Sequence, residues 1–176
     1  ITDGAAGVVM VPAEEAKKYT DTPMYVIGSG QANIGNAVGN LASLTDWVPL
    51  KLAAEEAFRM SGITLKDVDI AELHDCFTIS EIMEYEAFGW CEKGKGGKFI
   101  EEGGPYIGGK VAVNPRGGLL GCGHPLGATA ILQTFDIWQQ FRGEVPKGRL
   151  VESAEIAIAH NLSGPANVHS IMVYSR

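Results

Sequence analysis

The protein has 176 residues, a hydrophobic fraction of 45% and a formal net charge of −7. This length is enough for one domain with a real core but short for two. The acidic balance and the lack of basic runs exclude a nucleic-acid-binding surface, because phosphate recognition needs clustered Lys and Arg. No apolar run is long enough to span a membrane, and the first residues do not have the charged and apolar regions of a signal peptide.

The three cysteines, Cys76, Cys91 and Cys122, are an odd number and do not have the spacing of metal ligands. We therefore expect reduced thiols and a cytoplasmic protein. His124 lies two residues after Cys122, but no further Cys or His pair would complete a zinc site, so we expect no metal. The chain begins with Ile1 instead of Met, which suggests a fragment, a processed product or an isolated domain.

The first part of the chain predicts two strands and two helices. An apolar run over 8–11 predicts a buried strand, and residues 12–19 predict a short helix with Pro in its first turn. Residues 24–27 predict a second strand, ended by the glycines that follow it. Residues 31–46 have no clear period and predict a loop, whereas residues 48–60 have apolar side chains at helical spacing and end before a glycine.

The middle of the chain predicts a strand that leads directly into a polar motif. Apolar and polar residues alternate over 68–73, and this strand places His74-Asp75-Cys76-Phe77 at its carboxyl end. Thr78 and Glu81 have the spacing of a capping box, so we expect a helix from Thr78 to about residue 88.

The last part of the chain predicts a glycine-rich connector over 93–109 and a short strand over 110–113. Strands over 155–159 and 168–174 are separated by a short Gly/Pro turn and predict an antiparallel pair. A helix is expected over 128–141, with one face that carries Ile131, Leu132, Phe135, Trp138 and Phe141. Strands that alternate with helices indicate a layered α/β fold.

The densest motif is the glycine-rich stretch over 114–130, which contains His124. Closely spaced glycines indicate tight turns or backbone that passes against a ligand or another chain segment. Pro125 restricts the backbone of His124, so we expect a rigidly held, functional imidazole. The alternative is a structural turn with an incidental histidine.

Three groups of polar residues are predicted in loops after strands: 74–77, 123–125 and 160–164. Such loops meet at one edge of an open α/β sheet. Because Cys76 lies near a helix start, we expect the helix dipole to lower its pKa. A thiol and an imidazole suit acyl transfer or carbon–carbon bond chemistry next to a carbonyl, and the backbone of Ser163-Gly164 would hold an oxyanion. The alternative is an inert buried cysteine and hydrogen-bonded core histidines.

The glycine-rich stretch and the polar groups that follow strands, together with Asp3-Gly4-Ala5-Ala6, resemble the C-terminal domain of a thiolase. More narrowly, the sequence is similar to the sterol-carrier-protein-type and archaeal-type thiolases, which carry a His-Asp-Cys-Phe motif. The resemblance implies the α/β thiolase fold, with a mixed, roughly five-stranded sheet and helices on both faces. It also implies that residues 1–20 are the last strand and helix of the thiolase N-terminal domain and that 21–176 are the C-terminal domain.

The resemblance implies a role for each candidate residue. A thiolase condenses two acyl-CoA units or cleaves a 3-oxoacyl-CoA with CoA, through a nucleophilic cysteine in its N-terminal half. His124 matches the histidine that activates this nucleophile, and Cys76 matches the acid/base cysteine. His74 matches the group that shares the first oxyanion hole with His124. Ser163, followed by Gly164, stands where the family has a glycine whose N–H lines the second oxyanion hole.

No cofactor is implied, since a coenzyme A thioester is the substrate. The implied partners are the thiolase N-terminal half, on the same or a separate chain, further copies of the complete thiolase in a homo-oligomer, and a small companion protein in some relatives. We expect a role in lipid metabolism. Two alternatives remain open: a thiolase-like retro-aldolase that acts on acyl-CoA, and a non-catalytic thiolase-fold subunit.

Overall fold

The computed structural model describes residues 1–35 and 37–176. The elements, in chain order, are β1 (Tyr25–Asn33), α1 (Val48–Ser61), β2 (Ile70–Glu72), α2 (Thr78–Phe88), α3 (Gly96–Glu101), β3 (Ala112–Val113), α4 (Gly118–Cys122), α5 (Thr129–Arg142), β4 (Ile156–Ser163) and β5 (Val168–Ser175). Short 3-10 helices lie at Ala13–Lys18, Val38–Asn40, Leu65–Asp67 and Lys147–Arg149.

The strands form one five-stranded sheet in the order β1-β5-β4-β2-β3. The central strand β4 is antiparallel to β5 and parallel to β2. The edge strand β1 is antiparallel to β5, and the edge strand β3 is parallel to β2. The expected mixed α/β sheet and the antiparallel pair around the Gly/Pro turn are therefore confirmed.

Helices cover both faces of the sheet, as expected. Ile158 of β4 points into the core shared with α1 and α2, where it joins Leu50 and Tyr85. Its neighbour Ala157 points to the opposite core, which includes Ile137 of α5. This alternation follows from the period of two residues in a strand, and it gives the sheet two buried faces.

Strand β1 does not stop at Gly28, where we expected it to end, but continues to Asn33. A Cβ at Gly28 would lie 2.6 Å from the carbonyl oxygen of Ala57, and one at Gly30 would overlap that of Ala53. Both carbonyls belong to α1. The glycines therefore allow the helix backbone to pack directly against the strand and do not terminate it.

Helix α5 buries a different face from the one expected. Phe135 is exposed, and Ile131, Leu132 and Trp138 are only partly buried. The buried side chains are instead mostly polar: Thr129, Gln133, Asp136, Ile137, Gln140 and Phe141. They can be buried because they have partners. Asp136, for example, accepts two hydrogen bonds from Arg116, at 2.8 and 3.0 Å.

Three other local expectations were wrong. Residues 8–11 form no strand and are mostly exposed, because no neighbouring strand in the described chain pairs with them. Thr78 makes no capping hydrogen bond, and α2 is preceded by Phe77 as its N-cap. Glu81 instead accepts from the hydroxyl of Tyr85. Finally, the connector over 93–109 contains the helix α3.

Candidate active site

The segment His74–Cys76 follows β2 and is tied to α4 by Asp75. The buried Asp75 carboxylate accepts hydrogen bonds from the backbone N–H groups of Leu119, at 2.7 Å, and Leu120, at 3.3 Å. Gly118 has a φ of +63°, and a Cβ there would overlap the Asp75 carboxylate. The first polar motif and the glycine-rich stretch are therefore fixed to each other through one side chain.

This link brings two of the predicted site residues together. The rings of His74 and His124 lie edge to face, with their centroids 4.9 Å apart. His74 is buried, and His124 is partly exposed. Burial is the main cause that lowers the pKa of each imidazole, so both rings are neutral at neutral pH.

The hydrogen bonds of His124 define its tautomer. The hydroxyl of Thr129 donates to the carbonyl oxygen of Pro125, at 3.0 Å. The hydroxyl oxygen of Thr129 therefore accepts from Nδ1 of His124, at 2.7 Å. The proton of the neutral ring is thus on Nδ1, and Nε2 carries a lone pair with no hydrogen bond to the residues that the structure describes. Such a nitrogen is able to act as a base.

The tautomer of His74 is set by Gln133, a residue that the sequence analysis missed. The amide nitrogen of Gln133 faces the carbonyl oxygens of Leu73, at 3.1 Å, and His160, at 3.3 Å, which can only accept. Its oxygen therefore accepts from the Asn161 amide, at 2.5 Å. The oxygen of Asn161 then faces Nδ1 of His74, at 2.9 Å, so Nδ1 carries the proton and Nε2 is again unprotonated.

Cys76 lies two residues after His74, in a turn closed by a hydrogen bond of 2.9 Å from its N–H to the carbonyl of His74. The thiol is partly buried and lies 4.0 Å from the hydroxyl of Ser80. Burial raises the pKa of Cys76, which contradicts our expectation of a lowered pKa. The loss of hydration outweighs the hydrogen bond of Ser80, so the thiol keeps its proton at neutral pH.

The third predicted group lies in a strand and not in a loop. His160 to Ser163 are the second half of β4, and Ser163 is opposite Val168 of β5. Gly164, with a φ of +63°, begins the turn that follows. Asn161 connects this strand to His74, whereas Ser163 and Gly164 lie further along at the exposed end and touch neither histidine ring in the hydrogen bonds and ring pairs described.

The profile of the family described as thiolase C-terminal domain-like matches residues 30–176. The chain belongs to the thiolase family. It is 44% identical to an acetyl-CoA acetyltransferase of Methanothermobacter thermautotrophicus, over all of this chain and 46% of that protein. It is also 37% identical to sterol carrier protein 2 of Oryctolagus cuniculus, over 92% of this chain and 30% of that protein.

Among solved structures, the Ltp2-ChsH2(DUF35) aldolase has the same fold, with a TM-score of 0.80 and 20% identity over 93% of this chain and 42% of that one. The thiolase chain therefore spans less than half the length of each of these relatives. The expected resemblance to archaeal-type and sterol-carrier-protein-type thiolases is confirmed.

The polar face of α5 is the signal that could have identified Gln133. Thr129, Gln133, Asp136 and Gln140 recur at helical spacing, which is the pattern of one continuous helix face. Two of these side chains, Thr129 and Gln133, orient the site histidines. The apolar side chains of α5 predict the other face as the buried one.

Within residues 1–35 and 37–176, no group of three or more His, Cys, Asp or Glu side chains is arranged to hold a metal ion. None of the helices described for this thiolase chain has both the length and the apolar character needed to cross a membrane.

Proposed function

We propose that this chain supplies the C-terminal half of the active site of an acyl-CoA thiolase. The observation that carries the proposal is the pair of neutral imidazoles, His74 and His124, with centroids 4.9 Å apart and both Nε2 atoms unprotonated. The protonated thiol of Cys76 follows His74 by two residues. The reaction is a Claisen condensation of two acyl-CoA units or the reverse cleavage of a 3-oxoacyl-CoA by CoA.

In this proposal His124 activates a nucleophilic cysteine on the thiolase N-terminal half. Thr129 holds the Nδ1–H, so Nε2 is available to take the thiol proton. The resulting imidazolium then has an N–H at Nε2, which can donate to the oxygen of the thioester. One ring therefore acts first as a base and then as an oxyanion donor.

His74 is proposed to share this oxyanion hole, and its tautomer restricts how it does so. Because Asn161 holds the Nδ1–H, the neutral ring cannot donate from Nε2. Either ring becomes a donor only as an imidazolium, and the charge of His124 lowers the pKa of His74. The pair is thus suited to hold a single proton, taken from the nucleophile and directed at the oxyanion.

Cys76 is proposed as the acid/base group at the α-carbon. In the cleavage direction, the nucleophilic thiolate attacks the 3-oxo carbon, and the bond between C2 and C3 breaks with its electron pair on C2. The Cys76 thiol then gives its proton to C2. The raised pKa of Cys76 favours this step, because the thiol is protonated when the carbanion forms. The proton of the incoming CoA thiol restores it.

Ser163 and Gly164 are proposed to contribute backbone N–H groups to a second oxyanion hole. Ser163 ends β4, the strand that also carries Asn161, and Gly164 begins the turn that follows. A backbone donor does not depend on the side chain, so a serine can serve there. Its hydroxyl adds volume at the exposed end of the strand, and we expect it to narrow the space available to the acyl group.

The proposed partner is the thiolase N-terminal half, on the same polypeptide or on a separate one. Its contact surface would include the apolar side chains that this chain exposes around the site and on α5: Phe77, Ile79, Leu120, Leu126 and Phe135. Large apolar side chains exposed together on a protein surface favour association with another protein surface. Intact mass analysis of the purified native protein would identify this half. If it is absent, the non-catalytic subunit becomes the better proposal.

The direct test is cleavage of acetoacetyl-CoA by CoA in the assembled protein. We expect two acetyl-CoA per acetoacetyl-CoA, and an activity that Cys76→Ala and His124→Ala remove but the matched thiol variant Cys91→Ala retains. The retro-aldolase alternative predicts no CoA-dependent cleavage, with release of an aldehyde or ketone from a 3-hydroxyacyl-CoA instead. That result would replace the proposed reaction.

A further inference from the structure

Asn114, the first residue of the glycine-rich stretch, has a left-handed backbone and no part in the proposed chemistry. Its φ is +46°, a conformation that few residues other than Gly, Asn and Asp adopt readily. It is buried and directly follows β3. The left-handed residue turns the chain away from the sheet, so β3 ends after only two residues, Ala112–Val113.

This early end leaves the neighbouring strand β2 without a main-chain acceptor for its next N–H group. The N–H of Asn114 still donates to the carbonyl of Ala71, at 2.9 Å. If the parallel ladder continued, the N–H of Leu73 would donate to the carbonyl of Asn114. That carbonyl instead accepts from the N–H of Gly117, at 2.8 Å. Leu73 is fully buried, so its N–H needs another acceptor within the protein.

The side chain of Asn114 takes the place of the missing carbonyl. Its Oδ1 accepts from the N–H of Leu73, at 2.7 Å. Its Nδ2 donates to Oε2 of Glu81, on α2, over a longer distance of 3.4 Å. A backbone N–H only donates, so the amide oxygen must face Leu73 and the amide nitrogen must face Glu81. The other oxygen of Glu81 accepts from the hydroxyl of Tyr85.

The two contacts of this amide lie at the two ends of the segment His74–Phe77. Leu73 directly precedes His74, and Glu81 is in the first turn of α2, which begins directly after Phe77. Without the amide, the N–H of Leu73 would be a buried donor with no acceptor, which costs more than an ordinary hydrogen bond contributes. The chain around Leu73 would have to move to find another acceptor, and His74 would move with it.

We propose that Asn114 is a positioning residue, whose amide replaces a ladder carbonyl at the end of β2, connects it to α2 and so fixes His74 and Cys76 for proton transfer. The kinetic consequence rests on the proposed thiolase function, whereas the contacts do not. The competing role is that of a simple turn residue. In that role Asn114 would only supply a left-handed backbone, and glycine would serve equally well.

The variant Asn114→Gly separates the two roles, because glycine adopts the same φ without a side chain. In the assembled protein, we expect kcat for acetoacetyl-CoA cleavage to fall about tenfold or more, with KM changed less than about twofold. Ser153→Gly is the matched control, since Ser153 also has a left-handed backbone, with a φ of +59°, but is exposed. This control should keep the wild-type kcat.

A reversed pair of side chains tests the amide itself. Asn114→Asp keeps an acceptor for Leu73 but places a second carboxylate against that of Glu81, so kcat should fall severalfold. The additional change Glu81→Gln supplies a donor to the new carboxylate, while its amide oxygen can still accept from Tyr85. The double variant should recover kcat to within about threefold of the wild type. A residue that only ends a strand would not give this recovery.

Two measurements do not need turnover. Hydrogen exchange of the Leu73 amide should be about tenfold faster or more in Asn114→Gly, and close to the wild-type rate in the double variant and in Ser153→Gly. Peptide-resolved alkylation by iodoacetamide should modify Cys76 at a rate changed severalfold in Asn114→Gly and restored in the double variant.

Each contrary outcome overturns the proposal. A wild-type kcat, or a wild-type rate of Leu73 exchange, in Asn114→Gly would show that the residue only turns the chain. A double variant no more active than Asn114→Asp would contradict the pairing with Glu81, and this comparison decides even if Asn114→Gly does not fold. If the wild-type protein does not cleave acetoacetyl-CoA, the proposed function fails, while exchange and alkylation still decide the role of Asn114.

Discussion

Replacement of Asp75 by Ala tests whether one side chain connects the two halves of the site. The buried carboxylate accepts from Leu119 N–H at 2.7 Å and from Leu120 N–H at 3.3 Å. A hydrogen bond to a charged group contributes about 1.5–3 kcal/mol, and the longer bond contributes less. We therefore expect Asp75→Ala to lower the free energy of unfolding by about 3 kcal/mol. For a unit of this size, that change corresponds to a decrease in Tm of about 6–12 °C.

Thermal unfolding of the assembled protein, followed by circular dichroism, measures this decrease. Asp75→Asn keeps one acceptor but turns an amide N–H toward the other donor, so it should lose about half as much. Asp21→Asn, at an exposed position, should leave Tm unchanged. Since α4 leads directly to His124, we also expect kcat for Asp75→Ala to fall about tenfold or more. A Tm of Asp75→Ala within about 1 °C of the wild type would refute this account of how the motifs are joined.

Three further variants test other parts of the structure. Gly30→Ala should cost about 2–3 kcal/mol of stability, because its Cβ would overlap the Ala53 carbonyl. The control Gly39→Ala has no described atom within 4 Å of its Cβ and should cost little. Equal urea midpoints for the two variants would contradict the close packing at Gly30. Burial raises the pKa of Glu72 to about 8, so the folded state loses stability as the pH rises from about 5 to 8, by about 4 kcal/mol at most. Glu72→Gln should remove this pH dependence of the urea midpoint. Urea midpoints of the variant and the wild type that change in parallel with pH would count against this role of Glu72. Gln133→Leu should lower kcat about tenfold with little change in KM, because His74 loses its fixed tautomer. Steady-state kinetics that match the wild type would disprove this role of Gln133.

Much of the fold could be predicted because local signals and packing agree. Gly62, Gly89 and Gly143 have a left-handed conformation and end α1, α2 and α5 where the sequence places them. The strand that leads into His74 was identified, although its alternation is misleading. Glu72, one of the polar positions of that alternation, is buried. A single carboxyl group that is buried, with no ion-pair partner among the described residues, gives no signal in a sequence pattern.

Three of the errors have a common physical origin, since each depends on a partner that lies far away in sequence. Gly28 reads as a strand end until α1 is known to pack on its backbone. Residues 8–11 have the composition of a strand, but a strand also needs a neighbour with which to pair. Gln133 reads as solvent-facing until the carbonyls of Leu73 and His160 are seen beside it.

For the site, the motifs located the chemistry but not its protonation states. The structure brings the rings of His74 and His124 to within 4.9 Å of each other, and Cys76 follows His74 by two residues. The sequence predicted a lowered pKa for Cys76, because a helix start was the only visible influence on the thiol. Burial is the larger effect and acts in the opposite direction.

The most direct test of the central proposal is the intact mass of the assembled protein after it reacts with acetyl-CoA. We predict that Cys76→Ala gains an acetyl group on the nucleophilic cysteine but forms no acetoacetyl-CoA, and that His124→Ala does neither. Cys91→Ala should do both. Loss of acetylation in Cys76→Ala, or normal acetylation in His124→Ala, would contradict the roles proposed for these two residues.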